Sequence, residues 1–152
     1  YRYEKELRET DQILARVDTW LVGPPGDALT KKPTVRFREL QGTNLILPCR
    51  PSAWRDTLDD LGRQHGFALN VVVEADSLQM QRELAAGGGY HTILGPLAIA
   101  ADWQAGRLQA ARIVEPDLPR VVALSQRARG GAMLAQRVVT DLIREVARDT
   151  AA

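Results

Sequence analysis

The chain has 152 residues, and its 20 Lys+Arg against 19 Asp+Glu leave a formal net charge of only +1. Charges of both signs alternate, as in Arg55-Asp56 and Arg144-Glu145, which excludes the gathered basic excess by which a free-standing nucleic-acid binder holds phosphate. With 45% hydrophobic and 26% charged residues the composition is that of a globular chain, enough for one ordinary domain or two small lobes.

In chain order, residues 1–17 are highly charged, with Leu7, Ile13, Leu14 and Val17 as apolar anchors. They read equally as a helix or an irregular connector. Residues 18–22 are short and apolar and stop at Gly23-Pro24-Pro25-Gly26. A strand entering a tight loop fits, because two prolines and two glycines cannot continue a ladder. The stretch to Gly42 reads as loop, with a helical turn over 37–40. Residues 44–47 predict a second buried strand, ending at Pro48-Cys49-Arg50-Pro51. Ser52 is a natural N-cap for a helix to about His65, with Trp54, Leu58 and Leu61 at helical spacing and Gly66 as its stop.

The valine-rich run 69–73 predicts a third strand. Asp76 or Ser77 caps a helix over 78–86, which Gly87-Gly88-Gly89 breaks. A fourth strand over 90–94 ends at Gly95-Pro96, a helix over 97–105 stops at Gly106, and strands over 108–114 and 121–124 flank Glu115-Pro116-Asp117-Leu118-Pro119. A final helix over 132–148 carries Leu134, Val138, Val139, Leu142, Ile143 and Val146 as one apolar stripe. Strands alternating with helices of this length predict an α/β fold with a largely parallel, helix-covered sheet. Ligands of such sheets sit beyond the carboxyl ends of the strands.

The single cysteine, Cys49, closes no internal disulfide and builds no cysteine-rich zinc site. No apolar run approaches the roughly 20 residues of a membrane span. Tyr1-Arg2-Tyr3-Glu4-Lys5-Glu6 lacks the apolar core of a signal peptide, so the expected location is cytoplasmic. No catalytic set stands out: His65 and His91 are separated by a strand and a helix, Ser52 has no adjacent base, and Asp59-Asp60 and Asp76 read as helix-surface and capping groups. The glycine run matches no phosphate fingerprint. No catalytic residue, metal or cofactor is therefore expected.

Six short segments carry a resemblance. Leu45-Ile46-Leu47-Pro48-Cys49-Arg50-Pro51 is similar to the "LILPSRP" segment of the LysR-type transcriptional regulators. Asn70-Val71-Val72-Val73-Glu74-Ala75-Asp76-Ser77-Leu78 resembles that family's "VVEVDSL" step from strand to helix, and Gly89-Tyr90-His91-Thr92-Ile93-Leu94 its "G-HTILP" strand. Ala105-Gly106-Arg107-Leu108 resembles its "AGRL" turn, Ile113-Val114-Glu115-Pro116 its "I-P" exit, and Leu21-Val22-Gly23-Pro24-Pro25-Gly26-Asp27 its "LVGPPGHPL" crossing. The likeness covers roughly residues 18–125, in order. Three departures stand out. Cys49 replaces the usual Ser or Thr, Gly95 is inserted where Pro would close the strand, and the run 87–89 is richer in glycine.

The resemblance implies a fold like the type 2 periplasmic binding proteins, with one complete lobe and a C-terminal return into a partial second lobe. Residues 1–17 would be the end of lobe one and a connector, 18–117 lobe two, and 118–152 the return to lobe one with its C-terminal helix. The winged helix-turn-helix, linker helix and first half of lobe one would precede Tyr1, so DNA would be met only through that region, by a homodimer or homotetramer at full length.

A small anionic metabolite would be the effector. The resemblance places its contacts at Cys49, Arg50, Pro51, Ser52, Tyr90, His91 and Thr92. The helix N-terminus after Ser52 favours an anion, Arg50 can grip a carboxylate with two bonds, and the glycines before Tyr90 allow close approach. The plainer readings are that Ser52 is only a cap, Arg50 a solvated turn residue and His91 a hydrogen-bonded structural residue. Cys49 reads either as a small half-buried residue or as a thiol activated by the helix N-terminus. Trp20, Trp54 and Trp103 read as packing residues.

Two alternatives share the fold: an exported solute-binding protein, and an enzyme of the prephenate dehydratase kind. The latter's Thr-Arg-Phe site is matched only superficially by Val35-Arg36-Phe37.

Overall fold

A computed structural model describes residues 8, 9, 11–125 and 134–151. They divide into two compact units, Asp18–Leu118 as one and the flanking residues, before Asp18 and after Leu118, as the other.

The larger unit is a six-stranded sheet. Its strands are β2 (Trp20–Gly23), β3 (Thr34–Arg36), β4 (Leu45–Leu47), β5 (Val71–Glu74), β6 (His91–Leu94) and β7 (Gln109–Val114), ordered β3-β7-β2-β6-β4-β5. Pairings β3–β7, β4–β5 and β4–β6 are parallel, while β2 runs antiparallel to both β6 and β7. Five strands thus point one way, and the expected largely parallel sheet has one reversed strand at its centre. Full burial of Leu45, Ile46 and Leu47 on β4 is what a strand covered on both faces requires.

Three helices return the chain between parallel strands: α1 (Ala53–Gln64), α2 (Leu78–Ala86) and α3 (Pro96–Gln104). Ser52 and Ser77 cap α1 and α2, accepting from the amides of Arg55 and Met80 at 3.3 Å each, contacts worth about 1 kcal/mol apiece. Pro96 opens α3, where its missing N–H costs nothing. Gly66, at φ +82°, takes the left-handed turn that stops α1. The inner face of α1 is Trp54, Arg55, Leu58 and Gly62 rather than the expected Leu61, which is half-buried. On α2 it is Gln81 and Ala85, while Leu78 remains 42% exposed.

Val22, Ala85, Leu94, Ile99, Leu108 and Ala110 form one core cluster, with Trp20, Ala86 and Ala98 packed against it. Trp20 and Trp103 meet edge to face at 4.9 Å. Phe37, on the short 3-10 turn Phe37–Leu40, is fully buried near the rings of Phe67 and His65. Each such side chain contributes roughly 1.5–3 kcal/mol by leaving water. The chain enters and leaves this unit at one place. Thr19, 1% exposed, donates its hydroxyl to the Leu118 carbonyl at 2.5 Å, and its own carbonyl accepts from Ile113.

The smaller unit pairs β1 (Asp11–Val17) antiparallel with β8 (Arg120–Ser125), with a register shift between Ile13 and Ala15. Residues 11–17 are therefore a strand, which corrects both the helix and the connector expected there: the pairing with β8 supplies the order that the segment's own pattern does not show. Helix α4 (Leu134–Ala151) lies against β1, and Arg144 donates to Gln12 Oε1 at 3.1 and 2.7 Å. The expected apolar stripe is mostly outward: Val138, Val139, Leu142 and Val146 are more than half exposed, because a two-stranded ribbon is too narrow to cover a helix face. The predicted first residues of this helix, 132 and 133, lie outside the described residues.

Candidate functional site

One edge of the large sheet gathers the carboxyl ends of β3, β4, β5, β6 and β7. The N-termini of α1, α2 and α3 follow directly from three of these ends. Asp18 and Leu118, the two chain ends of the unit, join at the same rim through Thr19.

Pro48 ends β4 because it has no N–H for the ladder. The Cys49 amide then donates to Asp76 Oδ1 at 2.9 Å, which ties the turn after β4 to the turn after β5. Ala75 strengthens that tie by donating to the Leu47 carbonyl at 3.0 Å. Of the two predicted caps, Ser77 holds the helix and Asp76 holds Cys49.

Behind this rim stands Arg55. Its side chain is 8% exposed and spans three acceptors: Asp59 at 3.0 Å, Glu74 at 2.8 Å and the Pro48 carbonyl at 3.3 Å. Arg50 also bonds Asp59, yet its side chain is 56% exposed. The Cys49 thiol is raised from its ordinary pKa by its half-buried setting, then by the carboxylates of Asp76 and Glu74. This corrects the reading of Cys49 as an activated thiol: its setting and the two nearby carboxylates oppose a thiolate.

The register separates the expected contacts into two groups. Leu45 pairs with His91 and Ile46 with Thr92, so His91 starts β6, with Tyr90 just before it, at the edge opposite the rim. At about 3.3 Å per strand residue, Tyr90 lies roughly 16 Å along the strand from Gly95. Cys49, Arg50, Pro51 and Ser52 come together at the rim. Tyr90, His91 and Thr92 do not join them, a correction that follows from strand direction: the chain finishes a strand before Cys49 but begins one after Tyr90.

His91 is buried instead against the turn after β2. Its Nε2 lies 3.1 Å from Asp27 Oδ1 without hydrogen-bond alignment. Gly23 is required here, since a Cβ on it would meet His91 Cδ2 at 2.7 Å. Asp27 also accepts from the amides of Leu29 and Thr30 at 2.9 and 3.0 Å and from the Thr30 hydroxyl. Burial pushes the Asp27 carboxyl up, but His91 and the two amides outweigh it and leave the pKa below its ordinary value. A depressed carboxylate stabilises fully above its unfolded pKa of about 3.9 and loses that contribution as pH falls through the folded value. Asp27→Asn is therefore expected to flatten the acid limb of melting temperature against pH. An acid limb identical to the parent's would contradict the assignment.

Thr92 is fully buried and donates to Gln81 Oε1 at 3.0 Å. Sequence reasoning also missed Arg55, Asp59, Glu74 and Gln81. The i,i+4 spacing of Arg55 and Asp59 was a visible signal, as was a polar residue on the inner stripe of α2. Among the described residues no group of His, Cys, Asp and Glu is placed to hold a metal, and no helix is long and apolar enough to cross a membrane.

The family model described as LysR substrate binding domain matches residues 8–148. The chain belongs to the LysR substrate-binding family. This LysR domain is 34% identical over 135 residues to the HTH-type transcriptional regulator BbuR of Bordetella bronchiseptica, covering 84% of the chain and 41% of that protein. The chain thus spans less than half the length of that relative. The regulatory domain of CcmR from Synechocystis, solved in complex with 2-PG, superposes with a TM-score of 0.79 at 17% identity, over 93% of this chain and 70% of that one. OxyR of Corynebacterium glutamicum gives 0.75 at 19% identity, over 99% of this chain and 48% of its own. These two likenesses concern the LysR domain's fold. The type 2 periplasmic-binding-protein-like α/β fold expected from the sequence is the one observed, and the family match favours neither the solute-binding nor the enzyme alternative.

Proposed function

We propose that this domain senses a small anionic metabolite for a LysR-type, DNA-binding regulator, and that the metabolite binds at the carboxyl rim around Cys49, Arg50, Pro51 and Ser52. The observation that carries this reading is the meeting of three helix N-termini and the exposed Arg50 at one edge of the sheet. First-turn amides have no carbonyl within their own helix, and their dipoles favour negative charge. Arg50 is available at small cost. Its pair with Asp59 is solvent-screened, and Asp59 keeps Arg55 as its partner when Arg50 turns away.

On this reading, residues 18–117 act as lobe two, and 1–17 with 118–152 belong to lobe one. Effector binding selects one of two lobe arrangements. That choice alters the geometry of a DNA-binding dimer or tetramer in the cytoplasm. No bond is made or broken. The solved complex of the CcmR regulatory domain with 2-PG is consistent with small-molecule occupancy of this fold.

The test is a panel of small mono- and dicarboxylates against the intact regulator. A binder raises the melting temperature by mass action. Arg50→Ala is then expected to weaken that binder about 10- to 150-fold, the worth of a charge-assisted hydrogen bond of roughly 1.5–3 kcal/mol, without lowering the melting temperature of the free protein. No stabilisation by any member, or equal affinity after the substitution, rejects the site.

A further inference from the structure

Gln81 and Thr92 form a polar pair inside an apolar sheet-helix interface, 4% and 0% exposed. Thr92 stands in the middle of β6, and Gln81 faces it from α2. The Gln81 Nε2 donates to the Ala75 carbonyl at 2.6 Å, and its Oε1 accepts from the Thr92 hydroxyl at 3.0 Å. The orientation of the amide is fixed by its partners: a carbonyl only accepts, so the NH2 must face Ala75, and the oxygen is left for the one hydroxyl that can donate. Ala75 and Asp76 are the residues that meet the turn after β4, through Ala75 N–H to Leu47 O and Cys49 N–H to Asp76 Oδ1. Hydrogen bonds joined through the Ala75–Asp76 backbone therefore lead from the centre of β6 to the backbone of Cys49.

We propose that Gln81 and Thr92 are positioning residues for the effector rim, holding the turn after β5 so that Asp76 fixes the Cys49 turn in its binding shape. The proposal rests on the reading of that rim as the effector site. An apolar side chain at position 81 would fill the same space and hold α2 on the sheet. It would free the Ala75 carbonyl, and with it the placement of Asp76.

Cys49, the chain's single cysteine, is a built-in reporter of this arrangement, because its thiol is raised by burial and by Asp76 and Glu74. The experiment is the pH profile of Cys49 alkylation by iodoacetamide in the 152-residue chain, together with amide exchange at Cys49, Ala75 and, as reference, Leu21 and Val22. Asp76→Asn, which removes the carboxylate directly, is expected to move the alkylation midpoint to lower pH. Gln81→Leu is expected to move it the same way and to speed exchange at Cys49 and Ala75 at least tenfold, with Leu21 and Val22 unchanged. Thr92→Val should give a smaller shift of the same sign, and Thr92→Ser, which keeps the hydroxyl, should restore the parent profile.

Gln81→Leu with the parent's profile and exchange overturns the proposal. So does faster exchange spread equally to Leu21 and Val22, or Thr92→Ser behaving as Thr92→Val. If Gln81→Leu does not fold, the Thr92→Val and Thr92→Ser comparison decides alone. The carboxylate panel is a separate measurement. A shift in alkylation without any binder would leave the hydrogen-bonded hold standing and reject only the effector reading.

Discussion

Arg55→Ala is expected to lower stability by roughly 3 kcal/mol, the lower end of the cost of removing one partner from a buried ion pair. The lower end applies because the partners differ: Asp59 is only 13% exposed and is left short of its buried cation, whereas Glu74, at 48%, finds water. Arg50 still reaches Asp59, but from a solvated position. At about 2–4 °C per kcal/mol for a chain of this size, the melting temperature should fall by roughly 6–12 °C. Arg55→Lys keeps the charge but cannot span two carboxylates and the Pro48 carbonyl with one compact ammonium, so it should recover only part of the loss. Thermal and urea denaturation of the three proteins check this. A deficit under about 1 kcal/mol, the worth of an ordinary surface pair, would show that Arg55 is no hub.

Phe37→Ala is the other large effect, about 3–5 kcal/mol for emptying a fully buried aromatic site. Phe37 follows β3 immediately and is buried beside Phe67 and His65, whose rings stand at 5.7 and 5.6 Å. Little there can collapse into the space, because Phe37 sits on a short turn whose next buried residue, Leu40, is also fully enclosed. Urea denaturation should show a lower midpoint with an unchanged slope. A loss near 1 kcal/mol would mean that neighbouring side chains refill the site.

The α/β alternation was legible because each helix announces its ends. Ser52 and Ser77 cap, and Gly66 stops. Runs such as Leu45-Ile46-Leu47 are too short and too uniformly apolar for anything but a strand covered on both faces. Strand β3 was not legible, since in Thr34-Val35-Arg36 only Val35 turns inward and three residues make no period. Strand β1 was missed, its segment having been read as a helix or a connector, because its side chains alternate too irregularly, with a register shift in its middle. Nor does a local pattern tell which way a strand runs. That β2 is reversed, and that the start of β6 lies at the sheet edge opposite the turn after β4, are facts of pairing and not of composition.

The same reason divides the candidate site. Cys49, Arg50, Pro51 and Ser52 could be placed from a strand end, a proline and a cap, all local signals. Arg55, Glu74 and Asp76 act there through partners 4 to 27 positions away, and no single segment shows such a meeting. Thr92 was singled out only as an effector contact implied by the resemblance, whereas it is buried against α2. Its role was misplaced because Gln81, the side chain it answers, lies on the preceding helix.

Thr19 closes the neck of the larger unit, and this makes residues 18–118 a ring in all but covalent bond. Excised, their first and last residues would already be fastened by the Thr19 hydroxyl on the Leu118 carbonyl. A linker of a few residues could join them, and new termini could be opened at the exposed turn of Gln41 and Gly42. Such a permuted chain would keep every strand neighbour of the six-stranded sheet. It would present Cys49, Arg50 and Ser52 on a piece about two-thirds the size of the parent.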